Sequence, residues 1–111
     1  MATASLDGWP HNVPVGFVFD GTAFYITSDP GAKKLRNMVE NNRVCIVIDD
    51  PAEPRKAIMV QGLANLFERG EEFEKINELV YMQWGGKKWK EGEQVAVRID
   101  PTKKVSWGVP P

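Results

Sequence analysis

The chain of 111 residues is long enough for one domain with a single hydrophobic core. Hydrophobic residues make up 42% and charged residues 26% of it, and 14 Lys and Arg against 15 Asp and Glu leave a formal net charge of −1. This is the composition of an ordinary globular protein, and the charge balance excludes a strong overall attraction to nucleic acid or to an anionic membrane. We therefore expect residues 1–111 to form one domain.

The cysteine count and the apolar runs exclude further classes of protein. Cys45 is the only cysteine and His11 the only histidine, which excludes a disulfide framework, Cys/His zinc fingers and iron–sulfur clusters held by four cysteines. The longest uninterrupted apolar run, residues 44–48, is far shorter than the ~20 residues of a membrane span, and no signal-peptide pattern opens the chain. The sequence thus predicts a cytoplasmic protein without a membrane span.

The first two-fifths of the chain has the pattern of stacked β-hairpins. Residues 2–5 predict a short strand, an apolar stretch follows at residues 12–19, and residues 23–27 predict a strand rich in aromatic and β-branched side chains. Asp7-Gly8 and Asp20-Gly21 are turn signals in this region. At Asp20-Gly21 we expect a tight hairpin turn in which both residues have φ > 0.

The hydrophobic period then changes from two to 3.6 residues, which predicts a helix. Asp29-Pro30 is a start signal, with Asp29 as the N-cap and Pro30 in the first helical position, and Asn41-Asn42 ends the helix. Residues 44–48 follow as a strand, which we expect to be buried on both faces because its apolar residues do not alternate with polar ones. One face of the helix carries Ala32, Leu35, Met38 and Val39.

The second half of the chain combines strands with a second helix. Residues 49–55 contain two prolines and four charges and predict a loop. Residues 57–67 predict a long strand, whose interior Gly62 indicates a bulge or a closely approaching ligand. Residues 71–84 predict an amphipathic helix. A basic loop at residues 85–92, a strand at 94–100 and a closing strand at 103–109 complete the chain.

These elements make six or seven mostly antiparallel strands with two inserted helices. Long strands joined by short connections at this chain length favour a small barrel over an open sheet, because closure removes exposed strand edges. The predicted fold class is therefore mainly β, a β-barrel with inserted helices.

The chain lacks the residue patterns of catalysis by side chains. His11 has no Gly-x-Ser-x-Gly elbow to act with, and the adjacent Asp49 and Asp50 would point to opposite faces at the end of a strand. Neither a Walker A motif nor a dinucleotide-binding glycine fingerprint is present. The residues therefore identify no catalytic side chain, and they predict no metal site.

One corner of the predicted fold has the groups that bind an anion. Thr27 and Ser28 end a strand, a turn follows, and Lys33 and Lys34 lie in the first turn of the helix. Free backbone N–H groups, the positive end of the helix, two hydroxyls and two ammonium groups would converge there, as a phosphate monoester requires. The alternative is a solvated helix start at which Asp29 caps the same N–H groups, and the residues leave both open.

Four segments in chain order resemble one protein family. GWPHNVPV at residues 8–15 is similar to the Gly-x-Pro-h-x-x-Pro-h strand (h, hydrophobic) of the pyridoxamine 5'-phosphate oxidase-like, FMN-binding split barrels. FYITS at residues 24–28, with KLRNM at 34–38 and NRV at 42–44, resembles that family's strand, Lys-x-x-Asn-Leu helix and Asn-Pro-x-Val strand. VQGLA at residues 60–64 resembles its h-x-Gly-x-Ala strand.

The resemblance implies a six-stranded antiparallel split barrel that forms a homodimer, with FMN at the subunit interface. It also implies a flavin-dependent oxidoreductase acting on a small-molecule redox substrate that these motifs do not identify. A flavin performs hydride and electron transfer itself, while the protein supplies orientation and excludes water. This would account for the missing catalytic side chains.

The family's pattern also implies which residues contact the flavin. Gln61 and Gly62 would approach from a facing strand, with an outward-facing polar side chain and a structural bulge as the alternatives for these two, and Trp107 would lie by the ring. The phosphate contact would be Lys34, with Lys33, Thr27 and Ser28 beside it. The backbone along the edge of the isoalloxazine ring would be that of His11, Asn12, Val13, Pro14 and Val15.

Two other functions remain open at this point. Related barrels bind a deazaflavin, coenzyme F-420, whose longer anionic tail would need extra basic groups such as Lys87, Lys88 and Lys90, for which a solvated loop is the alternative. The second alternative is a non-catalytic small barrel that binds flavin, or that binds single-stranded nucleic acid through the basic aromatic segment at residues 84–90. The balanced charge of the whole chain argues against nucleic acid.

Overall fold

The structure is a computed structural model, and it describes residues 1–50 and 52–107. In chain order the elements are β1 (Ala2–Ala4), β2 (Pro10–Asn12), β3 (Val18–Phe19), β4 (Phe24–Ser28), α1 (Lys33–Glu40), β5 (Arg43–Asp50), β6 (Glu53–Phe67), α2 (Glu71–Trp84) and β7 (Val95–Trp107). The strands form one sheet in the order β2-β1-β5-β6-β7-β4-β3, with antiparallel neighbours throughout. This confirms the predicted mainly β class. Neither described helix has the length and apolar character needed to cross a membrane.

The sheet packs hydrophobic side chains on both of its faces, because side chains alternate along each strand. On β4, Phe24 and Ile26 face the main core, whereas Tyr25 faces a second, smaller core beneath α2. Helix α1 contributes Leu35 to the main core and α2 contributes Phe73 to the second one. Burying a side chain of this size stabilises the fold by about 1.5–3 kcal/mol, so packing holds both helices on the sheet.

Helix α1 begins after the predicted start signal. Its N-cap is Ala32, whose extended backbone (φ −65°, ψ 143°) is accompanied by no side-chain cap. Asp29 is not the N-cap, because its carboxylate accepts a hydrogen bond from Gln94 Nε2 at 2.6 Å instead. The helix ends at Asn41 as predicted. Val39 is 76% exposed, so its predicted place on the apolar face is wrong, because α1 buries only the side that packs against β1 and the main core.

Strand pairing overrides composition at two places. The loop predicted at residues 49–55 is wrong, because β5 continues to Asp50 and pairs there with the start of β6. The two strands predicted at residues 94–100 and 103–109 are one strand, β7, which β6 accompanies along its length, and residues 108 and 109 lie outside the described residues. A neighbouring strand satisfies the backbone hydrogen bonds of a segment whose composition favours a loop.

Two predictions about the N-terminal and central strands are also wrong. The apolar stretch at residues 12–19 is divided, because β2 ends at Asn12, β3 begins at Val18, and residues 13–17 cross between them without regular structure. Strand β5 is not buried on both faces: Val44 and Ile46 are buried and Val47 is 58% exposed. One face of β5 lies on the main core, and the other belongs to the outer surface of the sheet.

The hairpin turn before β4 differs from the predicted type. Only Gly21 has a positive φ, of 97°, so the turn does not have φ > 0 at both positions. The Asp20 carboxylate stabilises the turn instead, because it accepts hydrogen bonds from the N–H groups of Thr22 and Ala23, both at 2.8 Å. A third donor, the Tyr25 hydroxyl, lies 2.6 Å from the same carboxylate.

The bulge predicted at Gly62 is confirmed. The pairing of β6 with β7 shifts its register between Gln61 and Gly62. A Cβ atom on Gly62 would lie 2.7 Å from the carbonyl oxygen of Asp100 and 2.9 Å from Cγ2 of Ile99. The two strands therefore approach too closely for a side chain at this position, which explains why a glycine occupies it.

Candidate functional site

The start of α1 presents backbone N–H groups and positive charge without a competing acid. No side chain caps the first turn, and no acidic residue lies in it. Lys33 is exposed and Lys34 is half-buried in that turn. Since Asp29 bonds to Gln94 rather than to the helix, the interpretation in which Asp29 blocks these N–H groups does not hold. A helix start of this kind attracts an anion.

The turn before α1 is fixed by two hydrogen bonds. Ala32 N donates to the Asp29 carbonyl oxygen at 3.0 Å, and the Asp29 carboxylate accepts from Gln94 Nε2. Gln94 is itself buried and directly precedes β7. The turn that precedes both lysines is therefore tied to the sheet.

The two predicted hydroxyl groups do not lie together. Thr27 pairs with Ala96, which belongs to the second core, whereas Ser28 pairs with Val95, which belongs to the main core. Neighbouring residues of a strand point to opposite faces, so Thr27 lies on the α2 side of the sheet. Ser28 is buried and donates to the Asp29 carbonyl oxygen at 3.3 Å. The structure thus brings Ser28, but not Thr27, to the face on which α1 lies.

The Lys34 ammonium acts electrostatically on the Met1 amino group, which is hydrogen-bonded to Val13. Burial lowers the pKa of the Met1 amino group and the nearby Lys34 ammonium lowers it further, which shows that Lys34 is within electrostatic reach of Met1. The Met1 amino group donates to the carbonyl oxygen of Val13 at 2.7 Å, and Val13 N donates back to the Met1 carbonyl oxygen at 3.1 Å. The two hydrogen bonds join Met1 to the predicted flavin-contacting segment.

A cavity of about 290 Å³ lies between residues 13–17 and the edge of β5. Strand β1 pairs with β5 only at Cys45, so beyond that residue this edge of β5 has no strand partner within the described residues. An unpaired edge presents backbone N–H and C=O groups, which the polar edge of a planar heterocycle can use. The cavity is lined by Met1, Pro14, Val15, Phe17, Ile46, Val47, Ile48 and Asp49.

A second and larger cavity, of about 570 Å³, lies on the outer face of the sheet. Gln61 and Gly62 line it, so the structure separates them from Pro14 and Val15, which line the smaller cavity. Gln61 pairs with Cys45 and is exposed, as the outward-facing alternative predicts. We assign the candidate site to the smaller cavity, because Pro14 and Val15 of the predicted flavin-contacting segment line it together with the open edge of β5.

His11 faces α1 rather than the outer surface. It lies opposite Thr3 in the β1–β2 pair, and the Thr3 hydroxyl accepts a hydrogen bond from Asn37 Nδ2 of α1 at 3.0 Å. Side chains directly opposite each other in an antiparallel pair share a face. Nδ1 of His11 is buried and has no hydrogen-bond partner among the described residues. An unsatisfied polar atom of this kind, on the side of the sheet where Lys34 lies, fits a site that holds a polar ligand.

Trp107 lies on the outer face of the sheet, not in the smaller cavity. It pairs with Ala57 of β6, which pairs in turn with Asp49 of β5, a residue that lines that cavity. Two strand spacings, or about 10 Å, separate Trp107 from Asp49. Its indole is 46% exposed. Within one chain Trp107 is therefore a neighbour of the cavity but does not form its wall.

The basic aromatic segment after α2 is largely paired within the chain. Lys87 bonds to Glu93 at 2.7 Å and Lys88 to Glu78 at 2.6 Å. The Trp89 backbone exchanges two hydrogen bonds with the Asn77 side chain, at 2.7 and 3.1 Å. These contacts leave the segment without the open row of cations and stacking rings that binds a nucleic acid strand.

A family model described as pyridoxamine 5'-phosphate oxidase matches residues 1–107. The chain belongs to this family. Proteins of this family bind flavin. A curated relative, 5a,11a-dehydrotetracycline/5a,11a-dehydrooxytetracycline reductase from Streptomyces rimosus, is 31% identical over 117 residues. The match covers 98% of this chain and 72% of that relative.

Solved structures show the same fold as this member of the family. A protein named F420 Reductase superposes with a TM-score of 0.76 at 22% identity, covering 94% of this chain and 85% of the other. The heme storage protein HutZ from Vibrio cholerae superposes with a TM-score of 0.82 at 20% identity, covering 96% and 83% of the two chains. The predicted split-barrel fold is thus confirmed, with seven strands in the described residues instead of six.

Sequence reasoning missed two contacts of this site. One is the bond between Gln94 and Asp29, and the other is a bond from the Trp84 indole to the Phe17 carbonyl oxygen at 3.1 Å. Both join residues more than sixty positions apart, at separations of 65 and 67. No local pattern signals such a contact, because each residue would also suit a solvated loop or helix end.

Proposed function

We propose that this protein binds FMN and acts, as a homodimer, as a flavin-dependent reductase of a small organic molecule. The observations that carry the proposal are the uncapped start of α1 with Lys33 and Lys34, and a cavity bounded by residues 13–17 and by the open edge of β5. An anion-attracting helix start together with a cavity that has an unpaired strand edge suits a cofactor with a phosphate at one end and a polar ring at the other.

The roles of the flavin and of the protein residues follow from these observations. A bound flavin supplies the hydride or electron transfer. The start of α1 and Lys34 would hold the phosphate, and Pro14, Val15 and Phe17 would form an apolar wall that excludes water from the ring. The similarity to a dehydrotetracycline reductase supports reduction of an organic substrate as the direction of the reaction.

The pairing of lysines in the basic loop at residues 85–92 favours FMN over the deazaflavin coenzyme F-420. The longer anionic tail of the deazaflavin needs further cations, whereas Glu93 and Glu78 already hold Lys87 and Lys88. The likeness to F420 Reductase concerns the fold, so the deazaflavin stays the second candidate and is an arm of the experiment below.

The outer face of the sheet supports the homodimer. Val47, Met59 and Val105 lie side by side across β5, β6 and β7, and Leu63 and Trp107 are partly exposed on the same face. Monomeric proteins rarely expose a contiguous apolar patch of this kind, which marks it as a contact surface. A second copy that covers this face would also cover the larger cavity.

The experiment is a set of titrations of the purified protein with FMN, riboflavin and coenzyme F-420, followed by flavin fluorescence and absorbance. We expect FMN to bind more tightly than riboflavin, because the phosphate adds charge-assisted contacts. In the Lys34→Ala variant we expect FMN affinity to fall about tenfold or more and riboflavin affinity to stay the same. Lys88→Ala is the matched control, since it removes a lysine that is paired with Glu78.

The result that contradicts the proposal is equal affinity for FMN and riboflavin, with no change in Lys34→Ala. Tighter binding of the deazaflavin than of FMN would assign the site to the second candidate. Binding of neither flavin by the dimeric protein would remove the redox function altogether.

A further inference from the structure

We propose that Trp84 is a positioning residue, which holds residues 13–17 in the shape that the cofactor cavity requires. This inference rests on the proposed flavin site but names a residue that the family motifs do not include. Trp84 is the last residue of α2 and lines neither cavity. Its effect on the site is exerted through the backbone of Gly16 and Phe17.

The contact between Trp84 and this segment consists of a hydrogen bond and close packing. Nε1 of the indole donates to the Phe17 carbonyl oxygen at 3.1 Å. The ring also lies against Gly16, since a Cβ atom there would be 3.2 Å from both Cε2 and Cζ2 of the indole. Gly85, with a φ of 72°, ends the helix directly after Trp84, so the indole projects from the last helical turn.

Residues 13–17 have few other restraints on their backbone. The segment lies outside β2 and β3. At its start Val13 exchanges two hydrogen bonds with Met1, and at its end the Trp84 indole bonds to Phe17. Between these points the segment is held by the side chains of Val15 and Phe17, which pack against the main core.

The position of this segment decides the shape of the cavity, because Pro14, Val15 and Phe17 form one of its walls. Hydrophobic burial does not explain the position of the indole, since Trp84 remains 59% exposed. An aromatic side chain that is left largely in water and yet bonded to a backbone carbonyl is better explained by what it holds than by hydrophobic packing. The geometry therefore assigns to Trp84 the task of fixing the far end of the cavity wall.

The test compares Trp84→Phe, which keeps an aromatic ring but removes the N–H donor, with Met82→Ala, a control on the same helix at a residue that is 73% exposed. In flavin-free protein we expect the amides of residues 13–19 to exchange hydrogen about fivefold faster in Trp84→Phe, the effect of one ordinary hydrogen bond. We expect FMN affinity to fall by a similar factor and the visible circular dichroism of bound FMN to change, with the thermal midpoint nearly constant. Met82→Ala should leave all of these unchanged.

A paired substitution gives a second measurement. In wild-type background Gly16→Ala should weaken FMN binding, because the new methyl group pushes against the indole ring. In the Trp84→Ala background the same substitution should have a smaller effect, since the opposing ring is gone. Additive effects of the two changes would overturn the proposal.

Two further outcomes separate this proposal from the proposed function. If wild-type protein binds no flavin but Trp84→Phe still speeds exchange at residues 13–19, the positioning role stands and the flavin function fails. If flavin binds and Trp84→Phe alters neither exchange nor the spectrum of bound FMN, the positioning role is overturned. A lower thermal midpoint with an unchanged flavin spectrum would likewise overturn it, because Trp84 would then be structural only.

Discussion

Replacing Gly62 with alanine tests whether the β6 bulge is a structural necessity or an opening for a ligand. The added Cβ would lie 2.7 Å from the Asp100 carbonyl oxygen, 2.9 Å from Cγ2 of Ile99 and 3.2 Å from the Asp100 carbonyl carbon. Two of these three atoms belong to the backbone of β7, which pairs with β6 from Ala57 to Phe67. The strand cannot shift locally without disturbing this pairing, so the methyl group must be accommodated at a cost in stability.

The magnitude follows from the cost of overpacking. Inserting a methyl group into a close-packed site costs about 1–3 kcal/mol in the free energy of unfolding. In a domain of this length each kcal/mol corresponds to about 4 °C in the thermal midpoint, so we expect Gly62→Ala to lower the midpoint by about 4–12 °C. Gly31→Ala is the matched control, because a Cβ there meets no atom within 4 Å and its φ is not positive.

The assay is thermal unfolding of flavin-free protein, followed by circular dichroism, for wild type and both variants. Gly31→Ala should match wild type or gain a few tenths of a kcal/mol from the stiffer unfolded chain. Equal midpoints for Gly62→Ala and wild type would refute the reasoning from close approach. Equal midpoints together with lost FMN affinity would instead support the interpretation that a ligand approaches Gly62.

Two other predictions concern pH dependence and assembly. The Tyr25 hydrogen bond and two backbone N–H groups lower the pKa of Asp20 to about 2, so the stability from this ionised carboxylate is present above about pH 4 and is lost as the pH falls through about 2. We expect Asp20→Asn to flatten the dependence of the thermal midpoint on pH between 5 and 2, and an unchanged slope would contradict this. We expect Val105→Glu to convert a homodimer into a monomer by light scattering, whereas Met82→Glu should leave the mass unchanged; dimeric Val105→Glu would place the interface elsewhere.

Elements with a strong local pattern were predicted closely. The bounds of α2, residues 71–84, agree with those predicted, because its acidic first turn, its hydrophobic period and Gly85 at its end all act within the helix itself. For the strand around Gly62 the sequence predicted either a bulge or a closely approaching ligand, and the structure shows the bulge. The order of four motifs was sufficient to indicate the family, which the match over residues 1–107 shows.

The candidate site was predicted only in part. Lys33 and Lys34 do lie in the first turn of α1, because their place depends on a local helix start. Thr27 and Ser28 were grouped by sequence proximity, and the alternation of β4 separates them onto two faces. Gln61 was grouped with the N-terminal segment by family pattern, and within one chain it lines another cavity.

The sequence by itself determined what depends on neighbouring residues: the two helices, the turn glycines and the lysines at the start of α1. Only the tertiary structure decided what Asp29 bonds to, which edge of β5 stays open, and which face of β5 is left exposed. These are choices among partners far apart in the chain, and short-range propensity carries no information about them. A carboxylate beside a helix start and an indole at a helix end each have several favourable uses, and the packing of the sheet selects one.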